Sequence, residues 1–355
     1  MQILARYTTK NVLLSTTWIA LLLALLQIFI LLVNQINEIG RGDYNFIAAL
    51  RFVLLQTPYQ VYLFFPVVSM LGSLIGLGMM ANYRELVVMR ASGVSIMQIT
   101  VIVLKISLLV ILIITCIGEI LVPHWTINSK LAKSQALSGG QIIQVTQGVW
   151  MRDTANYIYI GTITGSEDLQ NVIQFHLNQQ HALQWVRSIA HAHYQDGSWQ
   201  ALDVQETMLC KLNAIPRKIA HMPWHITINP EYLQLSRAMP DEMTLAELYK
   251  TIKLQHKNHQ RANSLEIAFW LRLIQPLSTA VMMLLAIPFI FGPLRSSTMG
   301  AKFLLGTGVG FSFHILNHLF SSLSQVAAWP PFISAVTPTV CFALLGIYFM
   351  LRVIG

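Results

Sequence analysis

The chain has 355 residues, 54% of them hydrophobic and 11% charged, with a formal net charge of +8. Soluble globular proteins carry about 25% charged residues, so this composition excludes a soluble enzyme and a disordered chain. Three cysteines, Cys116, Cys210 and Cys341, are too scattered for a disulfide-stapled secreted domain.

The first apolar run, Val12 to Val33, has no charged residue. It reaches the roughly 20 residues a bilayer-spanning helix needs. It is too long for a signal-peptide core, and no small-residue cleavage site follows, so a retained span is expected. A second span is expected over Tyr59 to Ala81, with Gly72 and Gly76 on one helix face. Small residues on a face let a neighbouring helix approach closely.

The loop that follows, Asn82-Tyr83-Arg84-Glu85-Leu86-Val87-Val88-Met89-Arg90-Ala91-Ser92-Gly93, is helix-compatible and ends at a glycine suited to a helix C-terminus. Two readings stand for it. One is a membrane-surface helix with a solvated Glu85. The other is a coupling helix that inserts Leu86 and Met89 into a groove of a cytoplasmic partner, with Glu85 accepting a hydrogen bond from that partner's arginine.

The third span is expected over Ile99 to Val122. Lys130 and Lys133 follow it, three residues apart and on one face if the segment is helical. They are either solvated lysines or a pair of fixed cations that suit lipid phosphates, with Arg41 able to join them. A long polar insert then runs from Pro123 to about Ile267. Tyr157-Ile158-Tyr159-Ile160 and the alternating Ile173-Gln174-Phe175-His176-Leu177 read as strands, and Asp196-Gly197 and Asn229-Pro230 as turns. An all-β sandwich or jellyroll is expected. Its last part reads as a helix behind the capping box Thr244-x-x-Glu247, with Leu245, Leu248, Tyr249 and Ile252 on one face.

Three more spans are expected over Ala268 to Phe291, Phe303 to Leu323 and Phe332 to Leu351. Gly306 and Gly310 share a face of the fifth, which also carries His314 and His318 one turn apart. The fold class is therefore membrane α-helical, six transmembrane helices arranged three and three, with an inserted all-β jellyroll. The expected divisions are 1–122 for three spans with a cytoplasmic loop at 82–98, 123–240 for the β domain, 241–267 for a connecting helix and 268–355 for the last spans.

Lys and Arg in the short loops set the orientation. With both termini cytoplasmic, that side holds Arg6, Lys10, Arg84, Arg90, Arg295, Lys302 and Arg352, against Arg41 and Arg51 outside. The insert, with twelve basic and eleven acidic residues, is nearly neutral. The net charge is thus mainly an orientation signal, and no nucleic-acid partner is needed. No nucleotide-binding loop, nucleophile elbow or zinc-protease motif occurs, so no catalytic centre and no cofactor are expected. His191 with His193, and His221 with His225, lack a third ligand at a recognisable spacing, so they read as surface histidines and no metal is expected.

Gly76-Leu77-Gly78-Met79 with the segment Arg84 to Gly93 resembles the cytoplasmic loop of the lipopolysaccharide export permeases, a family with two paralogous six-span subunits, F and G. Phe289-Ile290-Phe291-Gly292-Pro293-Leu294-Arg295-Ser296 with Met299-Gly300 resembles the G-type subunit. So do Phe64-Phe65-Pro66, Gln147-Gly148-Val149-Trp150, Gln275-Pro276-Leu277-Ser278 and Pro330-Pro331, and the match is collinear over nearly the whole chain.

The resemblance implies one half of a heterodimeric transmembrane subunit pair in the bacterial inner membrane, with the jellyroll periplasmic. Its implied partners are the paralogous F-type six-span subunit, a dimeric cytoplasmic ATPase, a single-span periplasmic jellyroll protein and lipopolysaccharide. The complex extracts that lipid and passes it to a periplasmic bridge, and ATP is hydrolysed by the partners. By motif, Glu85 matches the coupling-helix glutamate, in a segment with Arg84, Leu86, Met89 and Arg90. Lys130 and Lys133, with Arg41 nearby, match the basic positions that handle lipid. Gly306, Gly310, Phe311 and His314 lie on a lateral gate helix. Relatives carry basic residues along the outer part of span one, where this chain has Leu31, Asn37 and Glu38. The alternatives are the F-type subunit and a secondary transporter of a lipid or amphiphile, whose inverted repeats a three-and-three arrangement would also fit.

Overall fold

A computed structural model describes residues 2–137, 149–153, 156–164, 168–178, 180, 182–195, 198–210, 213–224, 226, 239–257, 262–292, 297–327 and 329–354. The chain divides into two compact units, one made of 1–39, 49–129 and 263–355, the other of 40–48 and 130–262. Several segments singled out in the sequence, namely 147–148, 196–197, 225, 229–230 and 293–296, lie outside the described residues.

The first unit is helical. Its elements are α1 (Gln2–Gln35), α2 (Phe46–Asn82), α3 (Glu85–Ala91), α4 (Ile96–Cys116), a π turn (Ile117–Leu121) that leads into α5 (Val122–Leu137), α7 (Asn263–Phe291), α8 (Met299–Ala327) and α9 (Pro331–Ile354), with the first three residues of α2 and α5 from Lys130 onward counted in the second unit. Among the described residues six helices are long and apolar enough to cross a membrane, each containing one of the expected apolar runs. In lipid a spanning backbone must satisfy its own hydrogen bonds, so apolar runs of this length become helices.

Helix α2 is central: 78% of its most apolar window is buried, against 6% for α1 and 17% for α8. Glycines set its spacing to both neighbours. A methyl group built on Gly76 would come within 2.9 Å of Val12 Cα, and one on Gly72 would overlap Thr16. On α8, a methyl on Gly306 would come within 2.9 Å of a Leu71 methyl, and one on Gly310 would overlap Val67. Each glycine pair thus faces one helix, as its spacing of four predicts, and α2 is common to both contacts. Gly118, in the π turn, lies flat against the ring of Tyr62, where no side chain would fit.

Capping chemistry fixes the short connections. α3 ends in a Schellman motif: Val94 N–H donates to Met89 O and Gly93 N–H to Arg90 O, with Gly93 at φ +93°. α4 starts with a capping box, Ser95 accepting from Gln98 N–H while the Gln98 side chain accepts from Ser95 N–H.

The second unit holds a six-stranded antiparallel sheet in chain order, β1 (Val149–Asp153), β2 (Asn156–Thr164), β3 (Asp168–Leu177), β4 (Leu183–Gln195), β5 (Ser198–Cys210) and β6 (Asn213–Trp224), followed by α6 (Leu245–Lys257). The inserted β domain is therefore present. Its described strands make one meander, and the crossovers of a jellyroll are not among the described residues.

The core positions of this sheet change parity partway along the strands. One row of partners, Val172–Ile189–Val204–Ile219, faces the core, and so does the row Leu169–Ala192–Ala201–Met222. The two rows are three residues apart in every strand, where a regular pleat would place them two or four apart. Between them Asn171 and Asp203 adopt positive φ, 55° in each case, and the pairing skips Asn171, Ala190 and Asp203. Ile173 to Leu177 lie in a strand, as their alternation predicts, and it is the polar Gln174 that turns inward. Gln174 is buried and accepts a 2.9 Å hydrogen bond from Trp224 Nε1, while Phe175 stacks with Trp150 on the other side.

The box before α6 forms as expected, with Thr244 N–H donating to the Glu247 carboxylate at 2.8 Å. The helix face differs from the sequence pattern, because Leu248 and Thr251 are buried and Tyr249 is exposed.

Candidate functional site

The segment after α2 turns at Arg84, whose φ of 59° places it in the left-handed region, and α3 begins at Glu85. A residue other than glycine in that region costs about 1–2 kcal/mol, so the turn must be held by its surroundings. Two of them are Leu86 and Met89, which are 2% and 7% exposed and belong to the core of the helical unit. This corrects the expectation that Leu86 and Met89 insert into a partner. Leu86, Val87, Val88 and Met89 are four consecutive apolar residues that go once round the helix, so the sequence could not say which face turns inward. The face left outside consists of Tyr83, Val87 and Val88, flanked by the exposed Arg84 and Arg90.

Glu85 is half-buried. Its Oε1 accepts a 2.9 Å hydrogen bond from the Tyr7 hydroxyl of α1, and its Oε2 is shielded from water with no hydrogen-bond partner among the described residues. Tyr7 had no role in the sequence reading, because nothing in its neighbourhood marks a contact 78 residues away.

Lys130 Nζ lies 2.9 Å from Asp241 Oδ2 and 2.8 Å from Glu242 Oε1, so it is ion-paired with two carboxylates and the trio carries a net negative charge. Lys133 lies over the ring of the buried Tyr44, 5.9 Å from its centroid, a cation–π arrangement. Tyr44 sits in the turn that carries Arg41, where Tyr44 N–H donates to Arg41 O and Asp43 N–H to Ala136 O of α5. Arg41 is exposed, on a turn that packs against the part of α5 carrying Lys133.

On α8, Gly306 and Gly310 face α2, and His314 stacks on Phe64 of α2 at 4.2 Å between ring centroids. Phe311 is 58% exposed, and the same helix exposes Leu304, Ile315, Leu319 and Leu323. Lys302, counted above as a cytoplasmic loop charge, is instead 1% exposed, with Nζ 3.5 Å from Gly78 O near the C-terminal end of α2. A lysine there complements the partial negative charge of a helix end. The orientation tally loses one residue and stands at six against two, with its sign unchanged.

In the β unit, His191 and His193 border a cavity of about 430 Å³ that also meets His221, Asp168 and Gln200. His193 Nδ1 lies 2.5 Å from Asp168 Oδ1.

The family model for the lipopolysaccharide export system permease LptF/LptG matches residues 6–352. The chain belongs to that family. It is 33% identical over 353 residues to the lipopolysaccharide export system permease protein LptG of Escherichia coli K12, covering 99% of this chain and 98% of that one. It is also 31% identical over 344 residues to the LptG protein of Haemophilus influenzae, covering 96% of each. Six spans, a β insert and full-length similarity make it a multi-pass permease subunit of the LptF/LptG family.

Proposed function

We propose that the chain is the G-type transmembrane subunit of an ATP-driven lipopolysaccharide exporter of the bacterial inner membrane, with both termini cytoplasmic and the β unit periplasmic. The observation that carries this reading is the end-to-end similarity to LptG permeases of two organisms, spans and β insert together. It favours the G-type subunit over the F-type paralogue and over a secondary transporter.

In this reading α1 and α8 line the side of the permease that meets the F-type subunit and the lipid. They carry long apolar faces, among them Leu14, Trp18, Leu21, Leu25 and Phe29 on α1, that are exposed among the described residues. The acyl chains occupy the apolar space between the two subunits, and Arg41 and Lys133 are the residues assigned to meet the lipid phosphates. The chain hydrolyses nothing. A dimeric cytoplasmic ATPase supplies the work through the α3 segment, docking on Tyr83, Val87 and Val88, with its cationic side chains meeting Glu85. A single-span periplasmic β protein receives the lipid.

The test is Glu85→Ala in the complex reconstituted in proteoliposomes. A charge-assisted hydrogen bond contributes about 1.5–3 kcal/mol, so ATPase affinity or ATP-driven lipopolysaccharide release should fall roughly tenfold or more. Unchanged affinity together with unchanged release would overturn the coupling role.

A further inference from the structure

Glu85 is turned inward. Tyr7 holds one carboxylate oxygen, and the other is enclosed with no donor at hydrogen-bonding distance among the described residues. An enclosed carboxylate oxygen without a donor is a strained arrangement, because ionised oxygens each seek several hydrogen bonds. An oxygen that water cannot reach cannot be reached by a partner's guanidinium either. Glu85 therefore has two places to be: tucked against Tyr7 with one oxygen unserved, or swung out to a cation that serves both.

We infer that Tyr7 is a latch for Glu85, an internal competitor of the ATPase that holds the carboxylate in a parked position until the ATPase docks. The inference rests on the coupling role proposed for Glu85 and adds its regulation. The latch joins the second turn of α1 to the first residue of α3, so docking on α3 frees α1 near its N-terminal end. Only the difference between the two bound forms of Glu85 matters for this equilibrium, as for any two-state shift.

The sign of the effect separates a latch from a brace. Removing the phenol hydroxyl with Tyr7→Phe keeps the ring in place and weakens only the parked state. The permease, paired with its F-type subunit in nanodiscs, is titrated with purified ATPase. Tyr7→Phe is expected to tighten binding by roughly tenfold or more, the value of one hydrogen bond to a charged group. In a Glu85→Ala background the same substitution should change nothing. Weaker or unchanged binding in Tyr7→Phe alone, or equal tightening in the Glu85→Ala background, would overturn the latch. If Glu85→Ala weakens binding while Tyr7→Phe does not tighten it, the latch fails and the coupling role stands. If Glu85→Ala leaves binding unchanged, both fail.

Discussion

A proline inside a helix lacks the N–H that would serve the carbonyl four residues earlier, and Pro66 of α2 leaves that of Tyr62 without its donor. Gln275 of α7 supplies the replacement, its Nε2 lying 2.7 Å from Tyr62 O in a buried site. The same glutamine precedes Pro276, so one short motif repairs a neighbouring helix while breaking its own. Gln275→Leu keeps the volume and removes the donor. It should lower stability by about 1 kcal/mol, given that hydrogen bonds within membranes average less than those to buried groups in water. A drop of a few degrees in the thermal unfolding midpoint of the purified protein in detergent is the expected reading, and an unchanged midpoint would remove the repair role. The motif was visible as a resemblance, yet its physical purpose required the partner helix. Lys130 teaches the same point, since Asp241 and Glu242 are more than a hundred residues away in the chain.

Between elements, the glycines separate into those that touch and those that do not. Gly72 and Gly76 press on the backbone of α1, and backbone cannot rotate aside as a side chain can. Gly308, between the two contact glycines of α8, has nothing within 4 Å of where a methyl would stand. Gly72→Leu is therefore expected to push α1 off α2, with a loss of several kcal/mol by overpacking of roughly 1–3 kcal/mol or more. Gly308→Ala should be neutral or stabilising by about 0.5–1 kcal/mol, because alanine fixes a helix at less entropic cost than glycine. Disulfide trapping between cysteines placed on α1 and α2 checks the first, and thermal unfolding checks the second. Equal behaviour of the two variants would show that contact spacing is not set by these residues. Caps were legible at this scale, since Ser95 with Gln98, Thr244 with Glu247, and Gly93 each act within a few residues of themselves. The inward face of α3 was not, because four consecutive apolar residues offer no contrast between sides.

Over the whole molecule, the spans were legible because about 20 apolar residues admit one structure in lipid. The β insert was legible as a class, but the inward face of β3 was not, because alternation breaks at Asn171. The charge tally survived the loss of Lys302, since orientation depends on the difference between sides and one buried lysine does not reverse it. Orientation is open to a direct measurement in a background with Cys116, Cys210 and Cys341 replaced by serine. Leu202→Cys in the β unit should react with a membrane-impermeant maleimide added from the periplasmic side. Val88→Cys on α3 should react only after the inner membrane is opened, and the reverse pattern would invert the proposed topology.

The parity change across β3 to β6 works as a crease. Positions on either side of it face one core although strict pleating would send them to opposite faces, so the inward set is decided by the backbone angles at Asn171 and Asp203. Which residues face inward is then independent of the size of each side chain. Exchanging Ile189 or Val204 for another apolar residue would alter the filling of this core and leave the parity change in place.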